Sequence, residues 1–124
     1  MRDFRSSVAE ISIHVIDVTR GIPAAGMHVA VFARPDEERR QVREGRVGPD
    51  GVVERSPGSS TDIVPGQYEI ELHAGAYYRA EGIVSDQPAF QEIVVFRLTV
   101  LAESEHIHIP IKLSPWGLSI WRGR

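Results

Sequence analysis

Cysteine is absent from this chain of 124 residues. Disulfide bonds, thiolate nucleophiles and cysteine-ligated zinc are therefore excluded, although this absence does not by itself fix the cellular compartment. The chain also lacks an apolar stretch of membrane-spanning length, and its N-terminal MRDFRSSVAE contains no apolar signal-peptide segment. The closing Arg-Gly-Arg is not a peroxisomal address. These absences predict a soluble, cytoplasmic protein with no membrane partner.

Runs of basic residues interleaved with aromatic residues are absent as well, and the formal net charge is only -3. Nucleic-acid binding depends on a concentrated positive surface, so neither DNA nor RNA is an expected partner. The length suits one hydrophobic core with little room for a second, and we therefore assign residues 1–124 to a single domain.

What the chain does contain is a series of short apolar alternations separated by Gly, Pro and Asp turn signals, a pattern that predicts an all-β antiparallel sandwich. One short helix is predicted over Gly75 to Ala80. The Gly-Pro-Asp-Gly signal at 48–51 predicts a hairpin over Gln41 to Arg55, because proline presets φ and Asp-Gly tolerates left-handed positions. The predicted strands are Ala9 to Val18, Met27 to Ala33, Gln41 to Val47, Val52 to Arg55, Gln67 to His73, Gln91 to Val100, His106 to Leu113 and Leu118 to Trp121.

Two of these strands carry a histidine on the face opposite their apolar residues. Residues two apart share a face of a strand, and a strand in a sandwich turns one face toward the core. Alternation with Ile13 leaves His14 on the outer face, and alternation with Ile109 leaves His108 on the outer face. Because apolar Ile16 shares that face with His14, we expect the face to be covered by a second subunit.

The remaining histidines and the tryptophans allow more than one interpretation. His106 and His108 form a His-x-His pair whose spacing suits zinc or copper ligation, but the sequence supplies no third ligand, and no metal is assigned. His28 and His73 also fall on outward faces, where ordinary polar positions are expected. Trp116 is expected to pack in the core or at an interface, the commoner position for tryptophan.

Three segments of the chain resemble one known family. HIPIKLSPWGLSIWRGR (His108 to Arg124) is similar to the C-terminal signature of the transthyretin-like family, in particular its enzymatic branch, the 5-hydroxyisourate hydrolases. There, His, an apolar residue and Pro lead to Ser-Pro, an aromatic residue and Gly, and the chain closes on Tyr-Arg-Gly-Ser. IHVIDVTRGIPAAGMHVAVF (Ile13 to Phe32) resembles the family's His-Val-Leu-Asp opening, and GQYEIELHAGAYYRAEG (Gly66 to Gly82) resembles its strand and short helix.

The resemblance implies a transthyretin-like (prealbumin-like) β-sandwich assembled as a homotetramer, a dimer of dimers, with ligand sites in a channel between sheets. It implies a hydrolase of purine metabolism in which water attacks a lactam carbonyl of 5-hydroxyisourate. His14 and His108 then supply the acid and the base, without metal, cofactor or covalent intermediate. Arg122 is the matching tail arginine, and a guanidinium suits a planar, acidic, carbonyl-rich ligand.

The chain departs from the family at three positions of the implied site. Val52 stands where the family places a catalytic arginine after an Asp-Gly turn. Trp121 replaces the tyrosine of the tail, and Arg124 replaces its serine. Arg46 lies across the predicted turn and is the nearest replacement for the missing cation. We therefore take Arg46, Val52, Trp121 and Arg124 as the predicted substrate-binding positions.

These departures leave three functions open. The first is hydrolysis of 5-hydroxyisourate or a closely related oxidised purine. The second is different acid-base chemistry on another small heterocycle, carried by the same two histidines. The third is a ligand-binding protein of the transthyretin type in which catalysis is lost. Retention of both histidines disfavours the third function, whereas Val52 and Arg124 disfavour strict hydrolysis of 5-hydroxyisourate.

Overall fold

The computed structural model describes residues 9–55 and 62–123 as two β-sheets and one short helix. The helix of these residues is not long and apolar enough to cross a membrane. The strands are β1 (Glu10–Asp17), β2 (Ile22–Pro23), β3 (His28–Ala33), β4 (Arg40–Val47), β5 (Val53–Arg55), β6 (Gly66–Leu72), β7 (Val94–Val100), β8 (His106–Ser114) and β9 (Gly117–Ile120), and the helix is α1 (Ala74–Ala80).

The two sheets have the orders β2-β1-β8-β9 and β5-β4-β3-β6-β7. Every adjacent pair is antiparallel except β1 and β8, which run parallel over the whole of β1. Between the sheets, β1 and β8 turn Val15 and Ile111 toward Val29 and Ile70 of the larger sheet, in one hydrophobic cluster. Each sheet buries its apolar face in this cluster, so the opposite, outer face of each sheet remains for other contacts.

The predicted β-sandwich and the predicted hairpin are confirmed, with β4 and β5 paired antiparallel across the turn at 48–51. Apart from shifts of one residue at element ends, three details differ from the prediction. β1 and β8 pair in parallel within a sandwich that was predicted as antiparallel. β2 is a strand of two residues, too short for a periodicity to show. β7 begins at Val94 rather than at Gln91, because Glu92 is held by α1. Arg79 donates to the Glu92 carboxylate at 2.7 Å, and the Gly75 amide donates to the Glu92 backbone carbonyl.

A buried carboxylate ties the end of β1 to α1. Asp17 is fully buried and accepts hydrogen bonds from the hydroxyls of Tyr77 and Tyr78, at 3.1 and 2.9 Å, and from the guanidinium of Arg20, at 3.1 Å. Burial acts to raise the pKa of Asp17, but the three side-chain hydrogen bonds outweigh it and hold that pKa below its ordinary value. The network fixes the strand that carries His14.

We expect Asp17→Asn to lower the free energy of unfolding by about 3 kcal/mol at neutral pH, because a buried, hydrogen-bonded charge is lost while its donors remain. A lowered folded-state pKa contributes stability above the unfolded pKa and loses it as pH falls through the folded value. The difference between wild type and variant should therefore shrink below about pH 4. Urea unfolding at a series of pH values measures it; a difference independent of pH would contradict this role.

Candidate active site

The parallel pairing of β1 with β8 brings the two predicted catalytic histidines together. In that register Ser12 lies opposite His108, and His14 lies opposite Pro110. Both histidines are half-buried on the outer face of the four-stranded sheet, with ring centroids 6.3 Å apart and ring planes tilted by 34°. One small molecule can therefore contact both imidazoles.

The turn between β4 and β5 fixes the orientation of His14. Its Nε2 lies 3.1 Å from the carbonyl oxygen of Asp50. A carbonyl oxygen only accepts, so Nε2 carries the hydrogen, and in the neutral imidazole Nδ1 is the basic nitrogen. The turn is itself anchored to β1, because the Val15 amide donates to the Gly51 carbonyl at 2.8 Å.

Glycine is required at position 51 for two reasons. Its φ of +89° lies in the left-handed region, and a Cβ built there would come within 2.6 Å of both Cδ2 and Nε2 of His14. A side chain at this position would displace the imidazole. The Asp-Gly signal in the sequence predicts the turn; the contact with His14 becomes visible only in the folded chain.

His108 is held by β1 and by the C-terminal tail. The Ser12 hydroxyl lies 2.8 Å from Nδ1 of His108, so the other ring nitrogen of His108 is left for a substrate. The tail runs antiparallel to β8 beyond the end of β9: the Trp121 amide donates to the Pro110 carbonyl at 3.4 Å and the Gly123 amide to the His108 carbonyl at 2.7 Å. A Cβ at Gly123 would lie 3.0 Å from Cδ2 of His108, so glycine allows the tail to approach the ring.

Arg122 does not join the histidine pair in this structure. It lies between Trp121 and Gly123 in an extended segment, so its side chain projects to the side of the tail opposite to the Trp121 side chain. Its guanidinium pairs with the Glu105 carboxylate at 2.9 Å. Hydrogen bonds from the Leu101 amide and from Arg122 lower the pKa of Glu105 below its ordinary value. The observed contact of Arg122 anchors the tail, and its catalytic role stays a prediction.

Arg46 lies on the outer face of the five-stranded sheet, where it is paired in register with His28. Its guanidinium donates to the Gly26 carbonyl at 2.9 Å, and it lines a hollow together with His73 and Tyr77. His28 and His73, predicted as ordinary outward polar positions, contact each other with ring centroids 4.7 Å apart. None of these described contacts reaches His14 or His108, so substrate binding by Arg46 also stays a prediction.

Val52 and Trp121, the other departures within the described residues, border the histidine pair. Val52 forms a β-bridge with His14, and bridged residues project to the same side of a sheet. Its side chain is 39% exposed, and Trp121 is 42% exposed beside Pro110. Arg124 lies outside the described residues, so its predicted place in the site has no structural counterpart here.

Two site contacts escaped the sequence analysis. Strand alternation puts Ser12 on the same face as His14, but its hydrogen bond to His108 depends on the register between β1 and β8. The Asp50 carbonyl is a backbone group, which no residue pattern identifies. His106 and His108 have a spacing that suits a metal, but the described residues contain no group of three His, Cys, Asp or Glu arranged to hold a metal ion.

Comparison with known proteins agrees with this fold. Residues 11–123 match the model of the HIUase/Transthyretin family, and the chain belongs to that family. It is 32% identical over 118 residues to "5-hydroxyisourate hydrolase 2" of Rhizobium meliloti, which covers 95% of this chain and 98% of that protein. It is 33% identical over 113 residues to the 5-hydroxyisourate hydrolase of Caulobacter vibrioides, covering 91% of this chain and 96% of the relative.

Solved structures give the same fold. An (S)-allantoin synthase superposes with a TM-score of 0.80 at 26% identity; the match covers 94% of this chain but only 44% of the synthase chain. The 5-hydroxyisourate hydrolase of Klebsiella pneumoniae superposes with a TM-score of 0.73 at 20% identity, covering 92% of this chain and 97% of that one. The transthyretin-like sandwich predicted from the sequence motifs is thereby confirmed.

Proposed function

We propose that this protein hydrolyses 5-hydroxyisourate or a closely related oxidised purine. The observation that carries the proposal is the pairing of His14 with His108 at 6.3 Å on an outer sheet face. The family membership and the names of its relatives supply the substrate class. The chemistry is attack of water on a lactam carbonyl followed by cleavage of the carbon–nitrogen bond.

The reaction needs a base for the water, a donor for the developing oxyanion and an acid for the leaving nitrogen. His14 has its Nε2–H fixed on the Asp50 carbonyl, which leaves Nδ1 as a proton acceptor. His108 is fixed through Nδ1 on Ser12, which leaves Nε2 for exchange with the substrate. Two imidazoles held in this way can take up one proton and deliver another near neutral pH. No metal, cofactor or covalent intermediate enters this proposal.

A spectrophotometric assay on freshly generated 5-hydroxyisourate tests the proposal. The protein is expected to accelerate loss of the substrate absorbance well beyond its spontaneous decay, in proportion to protein concentration. Decay at the spontaneous rate in the presence of micromolar protein would sink the hydrolase proposal for this compound.

A second function, acid-base chemistry on a different small heterocycle, is favoured by one observation. Val52 places an apolar, exposed side chain next to His14, where the family resemblance implies an arginine. With valine at this position, the region where an oxyanion would develop lacks the cation that an arginine would supply.

We also propose that the outer face of the four-stranded sheet is an interface in a homotetramer. His14, Ile16, His108 and Pro110 on this face are all half-buried rather than fully exposed, and the exposed ring of Trp121 borders them. Light scattering at micromolar concentration is expected to give four times the chain mass of 13.8 kDa. A monomer mass with full activity would contradict this assembly. The cytoplasmic location stays a prediction.

A further inference from the structure

Lys112 is the only lysine in the chain, since every other residue in its Lys and Arg total of 14 is an arginine. It lies on β8 in alternation with Pro110 and His108, so its side chain leaves the same outer face. The side chain is exposed, and its ammonium lies 5.9 Å from the centroid of the Trp121 ring. The outer face that carries His108 therefore also carries a cation, at a position that the family motif does not specify.

The other predicted cations of the site are engaged elsewhere or lie outside the described residues. Arg122 is paired with Glu105, and Arg46 donates to the Gly26 carbonyl on the other sheet. Within the described part of the chain, Lys112 pairs with no carboxylate, and its ammonium lies over the Trp121 ring instead. Its charge is available to a ligand.

The interaction with Trp121 places that charge beside the sheet row that contains His14. Trp121 lies beside Pro110 through the amide hydrogen bond of the tail, and Pro110 lies opposite His14 in the parallel register. The ring of Trp121 therefore continues the row of His14 and Pro110 across the sheet. Because the Lys112 ammonium lies over the Trp121 ring, it is displaced along β8 from its own position toward the row of Pro110 and His14.

We infer that Lys112 is a substrate-binding residue that selects an anionic, carbonyl-rich heterocycle at this site. Trp121 offers a flat surface on which a planar ring stacks, and the Lys112 ammonium pairs with the negatively charged oxygens at its rim. This inference rests on the proposed function, which it deepens by naming the charge of the substrate. It places a substrate-binding cation on β8, separate from the catalytic arginine that the family has after the turn at 48–51.

Steady-state kinetics on 5-hydroxyisourate test the inference in the full-length protein. Lys112→Met removes the charge and keeps an unbranched chain, and we expect KM to rise about tenfold or more with kcat little changed, the pattern of lost ground-state binding. Lys112→Arg keeps the charge and should retain KM within about threefold. Arg40→Met, an exposed cation at the start of β4, controls for net charge and should leave KM unchanged. Equal KM values for Lys112→Met and wild type would overturn the inference.

A binding experiment decides the inference even if the protein does not turn over 5-hydroxyisourate, an outcome that would defeat the proposed function alone. Reductive ¹³C-methylation labels Lys112 and the α-amino group and keeps their charge, and Lys112→Arg identifies the lysine signal. Urate, an oxidised purine anion, is expected to shift that signal and to bind Lys112→Met about tenfold more weakly. A lysine signal that stays unmoved at millimolar urate contradicts a substrate-binding role for Lys112.

Discussion

Replacing His14 or His108 with asparagine is expected to lower turnover of 5-hydroxyisourate by about 100-fold or more, the usual loss when a general acid or base is removed. The asparagine amide lies near the place of Nδ1, so at position 108 it keeps a partner for the Ser12 hydroxyl. At position 14 only the solvent-exposed hydrogen bond from Nε2 to the Asp50 carbonyl is lost. Neither imidazole enters the hydrophobic cluster between the sheets, and thermal stability should therefore stay nearly unchanged.

The matched control is His28→Asn, the same substitution at a half-buried histidine on the outer face of the other sheet. It should retain the activity of the wild type. Thermal unfolding measured beside the kinetics separates the two explanations of a loss. If His14→Asn or His108→Asn lost as much stability as activity, the histidines would have a structural role and the catalytic assignment would fail.

If the wild-type pocket is tuned for another compound, restoring the family pattern with Val52→Arg and Arg124→Ser should raise activity on 5-hydroxyisourate. Position 52 is bridged to His14 and its side chain is 39% exposed, so an arginine there has space and starts beside the imidazole. A fixed cation that faces a developing oxyanion stabilises the transition state by about 3 kcal/mol in comparable sites, which corresponds to about 100-fold in rate.

Val52→Met combined with Arg124→Ser is the control, because methionine adds length at position 52 without charge. A gain that needs the arginine shows that the wild-type pocket is tuned for another compound. Efficient turnover by the wild type, with no gain in the double variant, would instead mean that Arg46 or Arg124 covers the role of the missing arginine and that the hydrolase function stands. The kcat/KM values of the three proteins distinguish these outcomes.

Much of this fold follows from local pattern. Period-two alternation places His14 and His108 outside and Ile13 and Ile109 inside, and burial in the folded chain agrees at all four residues. The Gly-Pro-Asp-Gly signal places the β4–β5 hairpin because only its own residues decide the turn. Features that depend on one segment alone are accessible to sequence reasoning.

The contacts of the site depend on segments that are distant in sequence. The hydrogen bond between Ser12 and His108 joins residues 96 apart, and the parallel register of β1 with β8 that creates it leaves no local signal. The turn that meets His14 does so only because Gly51 has no side chain. Sequence therefore predicts which residues face outward, and the pairing of strands decides which of them meet.

In the C-terminal tail, the family motif and strand alternation give different site residues. Trp121 and Arg122 are consecutive residues of an extended segment, so they cannot both face the histidines. Motif resemblance assigned both to the site. The structure places Trp121 beside Pro110 and pairs Arg122 with Glu105. The same alternation along β8 places Lys112 on the outer face with His108, and the structure agrees.

The most direct test of the central claim, that His14 and His108 act together on one substrate, is a double-mutant cycle measured on freshly generated 5-hydroxyisourate. Residues that act as a unit give strongly non-additive losses. The account predicts that His14→Asn combined with His108→Asn lowers kcat about as much as either single substitution. Losses that multiply, or single variants with wild-type rates, would contradict a shared catalytic site.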